Sequence, residues 1–332
     1  MSTLGRVAVI GGGSWATALA KLLLTNCDRI EWYMHRQDRI DDFIRYRHNP
    51  VYLSDVTFDT ERINFHSDIN KACEAADTLV VAVPSPYFRS EADRITIDVS
   101  GKHIVSAVKG IVPEYNMIVT EYFASRFGCA DDNLMVIGGP CHAEEVALER
   151  LSYLTIGCHD TDKSKAFADL LAGPKMKTII SSDVAGIEYS AVLKNVYAIA
   201  GGIVSGMKTG DNFMAMLVCN AIREIRRFVD AIAPMDRDIC RSAYLGDLLV
   251  TAYSKFSRNH NFGSMIGKGY SVKAAQMEMA MVAEGYYGTK CIHEINEAGV
   301  RVDMPILDCV YSILYDRVTP RRALDRLAQT FT

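Results

Sequence analysis

The chain has 332 residues, of which 49% are hydrophobic and 23% are charged, as in ordinary soluble globular proteins. This length corresponds to about two domains of roughly 150 residues each and is ample for a substantial core. Its 36 Lys and Arg against 40 Asp and Glu give a net charge of −4, so the chain has no basic excess to hold nucleic acid. The composition excludes disordered and collagen-like chains and argues against DNA binding.

The nine cysteines are scattered from Cys27 to Cys309 without a C-x-x-C pair, which is typical of a reduced intracellular protein. His142 and His159 each follow a cysteine, but neither has a partner at metal-site spacing, so no metal is expected. The longest apolar runs are shorter than the ~18 to 20 residues that span a bilayer. The N-terminus lacks the pattern of a secretory signal. We therefore expect a cytoplasmic protein with no membrane anchor.

Short β-branched runs alternate with helical stretches through the first half of the chain, which predicts a parallel sheet with helices on both faces. After about Ala185 the strand pattern ends, and helical periodicity continues to the C-terminus. The segment 211–229 has one apolar face, and we expect Asp211 to cap its helix through the carboxylate. That face comprises Met214, Leu217, Ala221, Ile225 and Phe228. The predicted strands are 7–10, 30–34, 79–83, 104–108, 134–137, 153–156 and 178–180.

A glycine-rich turn directly follows the first predicted strand. Gly11, Gly13 and Ala16 form the pattern G-x-G-x-x-A ahead of a helix-forming run. In this context the first glycine permits a tight turn, the second lets the backbone approach a pyrophosphate, and the small third residue allows close helix packing. The helix N-terminus offers N–H donors to phosphates. We predict a Rossmann-type, doubly wound dinucleotide-binding domain over residues 1–185 and an all-helical substrate-binding domain over residues 186–332.

The end of the second predicted strand bears on the choice of cofactor. An NAD-binding domain usually carries an acidic residue there, about 20 residues after the glycines, to hold the ribose hydroxyls. This chain instead reads Met34-His35-Arg36. Arg36 can pair with a 2′-phosphate or stack on adenine, which allows NADP as well as NAD; an ordinary solvated arginine is the alternative. Pro84 stops the third strand where the backbone would pass close to the nicotinamide ribose.

Two lysines are candidates for proton transfer, because a nicotinamide enzyme needs a proton donor for the carbinol oxygen. Lys109 follows the predicted strand 104–108, at the sheet edge where ligands of such folds bind. Lys194 lies in an apolar helical stretch, so its ammonium group is either partly buried or held at the surface on a snorkelling stem. If that group is desolvated or faces Lys109, its pKa falls toward the range that suits acid–base catalysis.

A third polar cluster contains Asp247, Thr251, Arg258 and Asn259. Arg258 with Asn259 suits a phosphate group through charge-assisted hydrogen bonds, and a solvated surface arginine is the alternative. Two or more helical turns separate Asp247 from Arg258, so the sequence alone does not bring them into one site. No serine lies in a G-x-S-x-G setting, which leaves serine hydrolysis without support.

In order and spacing, these motifs resemble the NAD(P)-dependent glycerol-3-phosphate dehydrogenase family over essentially the whole chain. The resemblance implies reversible reduction of dihydroxyacetone phosphate, a small phosphorylated triose, to sn-glycerol 3-phosphate with NAD or NADP. It also implies a role in glycerophospholipid synthesis and a homodimer. The matching stretches are 11–20, 83–85, 108–110, 139–140, 193–196, 245–248, 257–259 and 283–285.

The resemblance assigns roles to individual residues. Lys194 matches the general acid–base, Lys109 matches a lysine that contacts substrate and nicotinamide, and Arg258 matches the holder of the phosphate. The predicted substrate-binding residues are Lys109, Gly139, Cys141, Lys194, Asn195, Asp247, Thr251, Ser257, Arg258 and Asn259. The predicted cofactor-binding residues are Gly11, Gly13, Ser14, Trp15, Arg36, Pro84, Lys109, Ala143, Arg258, Val282 and Glu284.

The chain departs from the family pattern at three places. Ala16 replaces a third glycine, which should change the helix–strand separation only slightly. Cys141-His142 replaces a hydroxyl residue followed by Phe, so a weaker thiol donor stands where the family has a hydroxyl. Met214 replaces a Lys or Arg, so a charge near the site is expected to be missing.

Two other functions compete with this interpretation. A hydroxyacid or 6-phosphogluconate-type dehydrogenase would have the same two-domain plan, but Arg258-Asn259 and Lys194 favour a phosphorylated triose. A non-catalytic dinucleotide-sensing protein would need neither Lys109 nor Lys194, and both are present.

Overall fold

A computed structural model describes residues 4–254, 256–279 and 281–331. The chain divides into two compact units. The first comprises the chain up to Val108 together with Val119–Val184, and the second comprises Lys109–Ile118 together with the chain from Ala185 onward. The later boundary lies next to the predicted domain break at residue 185. The earlier one was not predicted, because residues 109–118 follow a strand of the first unit in sequence yet group with the helical unit.

The first unit is built on one sheet of eight strands. These are β1 Val7–Ile10, β2 Ile30–Tyr33, β3 Ile63–His66, β4 Thr78–Val81, β5 His103–Ser106, β6 Leu134–Gly138, β7 Ser152–Cys158 and β8 Met176–Ser181. Their spatial order is β3-β2-β1-β4-β5-β6-β7-β8. The strands β1 to β6 are parallel, while β7 is antiparallel to β6 and parallel to β8. The strand order reverses between β1 and β4, which is where a doubly wound sheet binds its ligand.

The helices of this unit cover the sheet, and their apolar faces supply its core. They are α1 Ser14–Asn26, α2 Gln37–Tyr46, α3 Ile69–Ala75, α4 Ser85–Ala92, α5 Val119–Phe127, α6 Ala143–Ala147 and α7 Thr161–Leu171. Ala16, the third position of the glycine-rich pattern, is fully buried, as the close packing of α1 requires. The predicted Rossmann-type, doubly wound fold is confirmed.

All seven predicted strands are present, with ends within two residues of the prediction. The strand that the sequence did not reveal is β3, which reads INFH at one edge of the sheet. Only Ile63 is buried there, because an edge strand needs one apolar face and tolerates polar residues such as Asn64 and His66. Such a short, half-polar run does not stand out from the loop around it.

The regular structure of the second unit is helical in its described residues, apart from one isolated β-bridge between Val112 and Met117. Its helices are α8 Val184–Gly206, α9 Asp211–Ile232, α10 Asp247–Tyr253, α11 Arg258–Gly267, α12 Val272–Glu278, α13 Glu284–Ile295, α14 Pro305–Leu314 and α15 Pro320–Leu327, with π-helical turns at Ser242–Gly246 and Asn296–Val300. Residues 187–204 of α8 are buried on every side, so this helix is the centre of the unit. No described helix has the length and apolar character needed to cross a membrane.

The predicted apolar face of α9 is confirmed, since all five of its residues are buried. The predicted cap is wrong. Gly210, with φ +97°, is the N-cap residue and no side chain caps the helix, while Asp211 is already the first helical residue. Its carboxylate can still interact favourably with the helix dipole from the first turn. Met214, which replaces a Lys or Arg of the family pattern, lies in the core against Gly201.

Helices α8 and α11 cross at closely spaced glycines. A Cβ on Gly202 would lie 2.0 Å from the carbonyl oxygen of His260, and one on Gly263 would lie 2.1 Å from that of Ile199. Neither distance is possible for a real side chain, so glycine is required at both positions. Because α8 carries Lys194 and α11 begins at Arg258, this crossing sets the separation of two predicted site residues.

We expect the substitution Gly202→Ala to destabilise the protein by about 1–3 kcal/mol, because an extra methyl group would force the two backbones apart. Urea denaturation measures the loss. Gly299→Ala is the matched control in the same unit, since a Cβ there meets no described heavy atom within 4 Å. Equal unfolding midpoints for the two variants would show that the crossing tolerates a side chain.

Candidate active site

The glycine-rich turn joins β1 to α1 at the carboxyl edge of the sheet. Gly11 has φ +128°, and a Cβ there would lie 2.6 Å from the carbonyl oxygen of Ala82, so the turn needs glycine at this position. No described heavy atom lies within 4 Å of the place that a Cβ on Gly13 would take. Gly13 is also the N-cap of α1 and provides no side-chain cap. The open space and the N-terminal N–H groups fit a dinucleotide pyrophosphate.

The other candidate residues of the first unit follow the carboxyl ends of parallel strands, at the same edge of the sheet. Pro84 follows β4 and is the N-cap residue of α4, and Ala143 begins α6 after β6. Between β6 and α6 lie Gly139, with φ +106°, and Cys141, which is buried. Ser14 and Trp15 form the first turn of α1. The sheet thus places these candidates along the edge that the glycine turn occupies.

Arg36 is the N-cap residue of α2. Its guanidinium contacts the carboxylate of Asp38, through Nε at 2.9 Å and through Nη2, and these hydrogen bonds lower the pKa of Asp38. The Arg36 side chain is 59% exposed. Exposed ion pairs are weak, so a ligand phosphate can compete with Asp38 for this guanidinium.

In the second unit, Lys194 and Asp247 form a buried ion pair between Nζ and Oδ1. Lys194 lies on α8 and Asp247 is the first residue of α10; their side chains are 4% and 1% exposed. This burial decides between the two sequence-based alternatives, because the ammonium group does not reach solvent on a snorkelling stem. The other oxygen of Asp247, Oδ2, is buried and has no hydrogen-bond partner among the described residues.

Burial lowers the pKa of Lys194 to about 8, because desolvation disfavours the ammonium form. The negative charge of Asp247 opposes this shift, while the nearby positive charge of Lys109 adds to it. Lys109 therefore acts on Lys194 as the sequence suggested. With this pKa, Lys194 is mostly protonated at pH 7 and still exchanges its proton readily, as a general acid–base must.

Two hydrogen bonds hold the candidate asparagines of the second unit. Asn195 Nδ2 donates to the carbonyl oxygen of Lys109 at 2.6 Å, and Asn259 Oδ1 accepts from the N–H of Gly285 at 2.9 Å. A Cβ on Gly285 would lie 2.6 Å from the Asn195 carbonyl oxygen, so α13 packs closely on α8 here. Because the Asn259 oxygen accepts from α13, its NH₂ group is the part of the side chain that can donate to an anion.

Other predicted substrate residues have structural partners. Ser257 is the N-cap of α11, where its Oγ accepts from the N–H of His260 at 3.2 Å. Thr251 Oγ1 donates to the carbonyl oxygen of Asp247 at 2.6 Å. Arg258, the first residue of α11, is half-buried, with Nη1 4.0 Å from Met281 Sδ. Both hydroxyls thus support the backbone of their own helices, while Arg258 stands at a helix start.

The cofactor candidates Val282 and Glu284 lie at the start of α13, where Glu284 is the first helical residue. Two features of the sites were missed from the sequence. The Lys194–Asp247 pair joins residues far apart in the chain, and no local pattern links them. Asn49, which contacts the glycine turn, lies in an irregular segment after α2 that has no periodicity.

Comparison with known proteins covers both units. Residues 6–164 match the family model described as the N-terminus of NAD-dependent glycerol-3-phosphate dehydrogenase. Residues 183–325 match the model described as the C-terminus of the same enzyme. Together these ranges include the glycine turn and the buried lysine.

Among curated proteins, the chain is 35% identical to glycerol-3-phosphate dehydrogenase (NAD(P)+) from Lysinibacillus sphaericus over 327 residues, which cover 97% of this chain and 95% of that protein. It is 33% identical to the enzyme of the same name from Prosthecochloris aestuarii, over 93% of both chains. The crystal structure of glycerol-3-phosphate dehydrogenase from Coxiella burnetii superposes with a TM-score of 0.89 at 27% identity, covering 98% of this chain and 99% of that one. The chain belongs to the NAD-dependent glycerol-3-phosphate dehydrogenase family.

Proposed function

We propose that this protein catalyses the reversible reduction of dihydroxyacetone phosphate to sn-glycerol 3-phosphate with NADH or NADPH. The observation that carries the proposal is the buried Lys194, which is paired with Asp247 and influenced by Lys109 in a unit that also presents Arg258 and Asn259. Family membership supports the same reaction.

The bound nicotinamide supplies the hydride, so the protein must provide orientation and a proton. Lys194 Nζ donates its proton to the carbonyl oxygen of the substrate as negative charge develops there. Lys109 adds positive potential at that oxygen and stabilises the developing alkoxide. Asp247 holds the ammonium through Oδ1, and its Oδ2, which has no partner within the described part of the chain, is an acceptor for a hydroxyl group of the substrate.

Arg258 and the NH₂ group of Asn259 bind the substrate phosphate through charge-assisted hydrogen bonds. The phosphate lies away from the reacting carbon, so its binding energy serves to orient the carbonyl for reaction. We assign the dinucleotide to the first unit, with Gly11, Gly13, Ser14 and Trp15 at its pyrophosphate. We also propose that the remaining residues predicted from the sequence bind the cofactor or the substrate in the roles given above.

Location, assembly and metabolic role follow as further proposals. The scattered cysteines without C-x-x-C pairs support a cytoplasmic enzyme. We also propose that it is a homodimer that supplies sn-glycerol 3-phosphate for glycerophospholipid synthesis. Light scattering coupled to size-exclusion chromatography measures the assembly, and a mass of about 37 kDa would contradict the dimer.

The direct test is the oxidation of NADH and of NADPH, in parallel, in the presence of dihydroxyacetone phosphate. Oxidation with at least one cofactor is expected, and its absence with both would overturn the function. Activity with 6-phosphogluconate instead would identify the related dehydrogenase class. Cofactor binding without turnover of any substrate would identify a sensing protein.

We expect Arg258→Ala to raise the KM for dihydroxyacetone phosphate by about 10- to 100-fold, since a charged hydrogen bond is worth roughly 1.5–3 kcal/mol. The KM for the smaller ketone dihydroxyacetone, which has no phosphate, should rise much less. Steady-state kinetics with both substrates measures the difference. Arg241→Ala removes an exposed arginine of the same unit and is the matched control. An equal rise in KM for both substrates would contradict the assignment of Arg258 to the phosphate.

A further inference from the structure

Three side chains hold three successive carbonyl groups of the glycine turn. Trp32 Nε1 donates to the carbonyl oxygen of Gly11 at 2.7 Å. Asn49 Nδ2 donates to that of Gly12 at 3.1 Å. Thr17 Oγ1 donates to that of Gly13 at 2.9 Å. Side chains from three different segments therefore fix the turn by donating hydrogen bonds to its carbonyl groups.

These bonds determine where the N–H groups of the turn point. In a trans peptide unit, the C=O of one residue and the N–H of the next lie in one plane and point in opposite directions. The carbonyl groups of residues 11, 12 and 13 point toward their side-chain donors, so the N–H groups of residues 12, 13 and 14 point the opposite way. Anion-binding turns hold phosphates with N–H groups arranged in this manner.

Asn49 connects two of these three contacts. It is 2% exposed, and Nδ2 also donates to Thr17 Oγ1 at 2.8 Å, which links it to the third donor. Its Oδ1 accepts from the N–H groups of Val51 and Tyr52 at 3.0 and 3.1 Å, which fix its own segment. The amide is thus oriented through its oxygen and holds the turn through its NH₂ group.

We propose that Asn49 is a positioning residue for the dinucleotide: by holding the Gly12 carbonyl and the Thr17 hydroxyl, it aims the backbone N–H groups of the turn at the pyrophosphate. The inference rests on the dinucleotide role of the first unit and extends it to a residue outside the glycine motif. Without this bond the Gly12–Gly13 peptide can rotate, and ordering it again on binding would weaken cofactor affinity.

The substitution Asn49→Asp tests the proposal with little change in shape. The aspartate keeps an acceptor for Val51 and Tyr52 but loses both donors, and it places a negative oxygen against the Gly12 carbonyl. The Thr17 hydroxyl would then donate to the new carboxylate, and the Gly13 carbonyl would keep only the Thr17 N–H, at 2.9 Å, as its donor. We expect the dissociation constant for NADH to rise at least about tenfold, while kcat at saturating NADH and the KM for dihydroxyacetone phosphate stay near the wild-type values.

Fluorescence titration with NADH in the absence of substrate measures the dissociation constant, and thermal unfolding measures stability. Asn70→Asp is the matched control: Asn70 also bonds backbone groups of the first unit, donating to the Arg94 carbonyl oxygen at 3.0 Å and accepting from the Thr96 N–H at 2.8 Å, outside the turn. Wild-type affinity in Asn49→Asp, or a loss no greater than in Asn70→Asp, would overturn the proposal. Reduced stability with unchanged affinity would show a merely structural role and overturn it as well.

Thr17→Val provides a second test if Asn49→Asp does not fold. It removes the hydroxyl that joins Asn49 to the Gly13 carbonyl and keeps the buried volume similar. A severalfold rise in the NADH dissociation constant is expected, and wild-type affinity would contradict the proposal. Since binding is measured without dihydroxyacetone phosphate, a wild-type protein that binds NADH but does not turn over that substrate would overturn the proposed function and leave this inference standing.

Discussion

Replacing Lys194 by alanine is expected to lower kcat for dihydroxyacetone phosphate reduction by about 10²- to 10⁴-fold, the usual contribution of a positioned general acid. NADPH binding should stay nearly unchanged, because Lys194 is not among the predicted cofactor-binding residues and the glycine turn lies in the other unit of the chain. Stopped-flow measurement of NADPH oxidation gives the rate, and fluorescence titration gives the affinity. Unchanged turnover would remove Lys194 from the mechanism.

The same substitution leaves the buried Asp247 carboxylate without its partner, which costs about 3–5 kcal/mol of stability in comparable sites. The double variant Lys194→Ala/Asp247→Ala removes both charges and separates folding from catalysis. We expect the double variant to recover part of the lost stability and none of the lost activity. Recovery of turnover would mean that the single variant fails through misfolding. Lys273→Ala, which removes an exposed lysine of the same unit, is the control for general charge effects.

Replacing Asp247 by asparagine is expected to move the pH dependence of the reaction. In the wild type, reduction needs the ammonium form of Lys194, so kcat/KM is constant at low pH and falls as pH rises through about 8. The reverse reaction needs the free amine and rises through the same pH. Asparagine removes the charge that raises the pKa of Lys194, so both transitions should move to lower pH, by at least about one unit.

Rate measurements from pH 6 to pH 10 in both directions test this shift. Asp230→Asn is the matched control, because Asp230 pairs with Arg237 at a partly exposed position of the same unit. A profile in Asp247→Asn that coincides with the wild type would show that Asp247 does not tune Lys194. Movement of the transitions to higher pH would contradict the ion pair itself.

Local patterns were sufficient for most of the first unit. The buried parallel strands are continuous apolar runs, and the glycine-rich turn is recognisable because its spacing reflects the geometry of one tight turn. The edge strand β3 escaped prediction because only one of its four residues is buried. Asp211 was assigned as a cap from residue type alone, whereas the backbone of Gly210 occupies that position. A shift of one residue at a helix end is decided by how the preceding loop enters the helix.

For the site in the second unit, the sequence identified the candidate residues but did not determine their burial or their partners. An apolar helix around Lys194 is compatible with a buried ammonium and with a snorkelling one, because both place the Cα on the same helix. The pairing with Asp247 joins residues 53 positions apart, and it follows from the packing of α8 with α10. The role of Asn49 depends similarly on an irregular segment that folds back to the glycine turn.

The sequence by itself therefore determined the fold class, the family and the chemical types of the site residues, since these are properties of local spacing and of motifs in order. Only the tertiary structure decided that Lys194 is buried with a pKa near 8, that Lys109 acts on it, and that Asn49 holds the turn. The physical reason is that burial, electrostatic coupling and hydrogen bonding depend on which distant segments come together. The glycine crossing of α8 and α11 is one such contact, and no local pattern encodes the distance it sets.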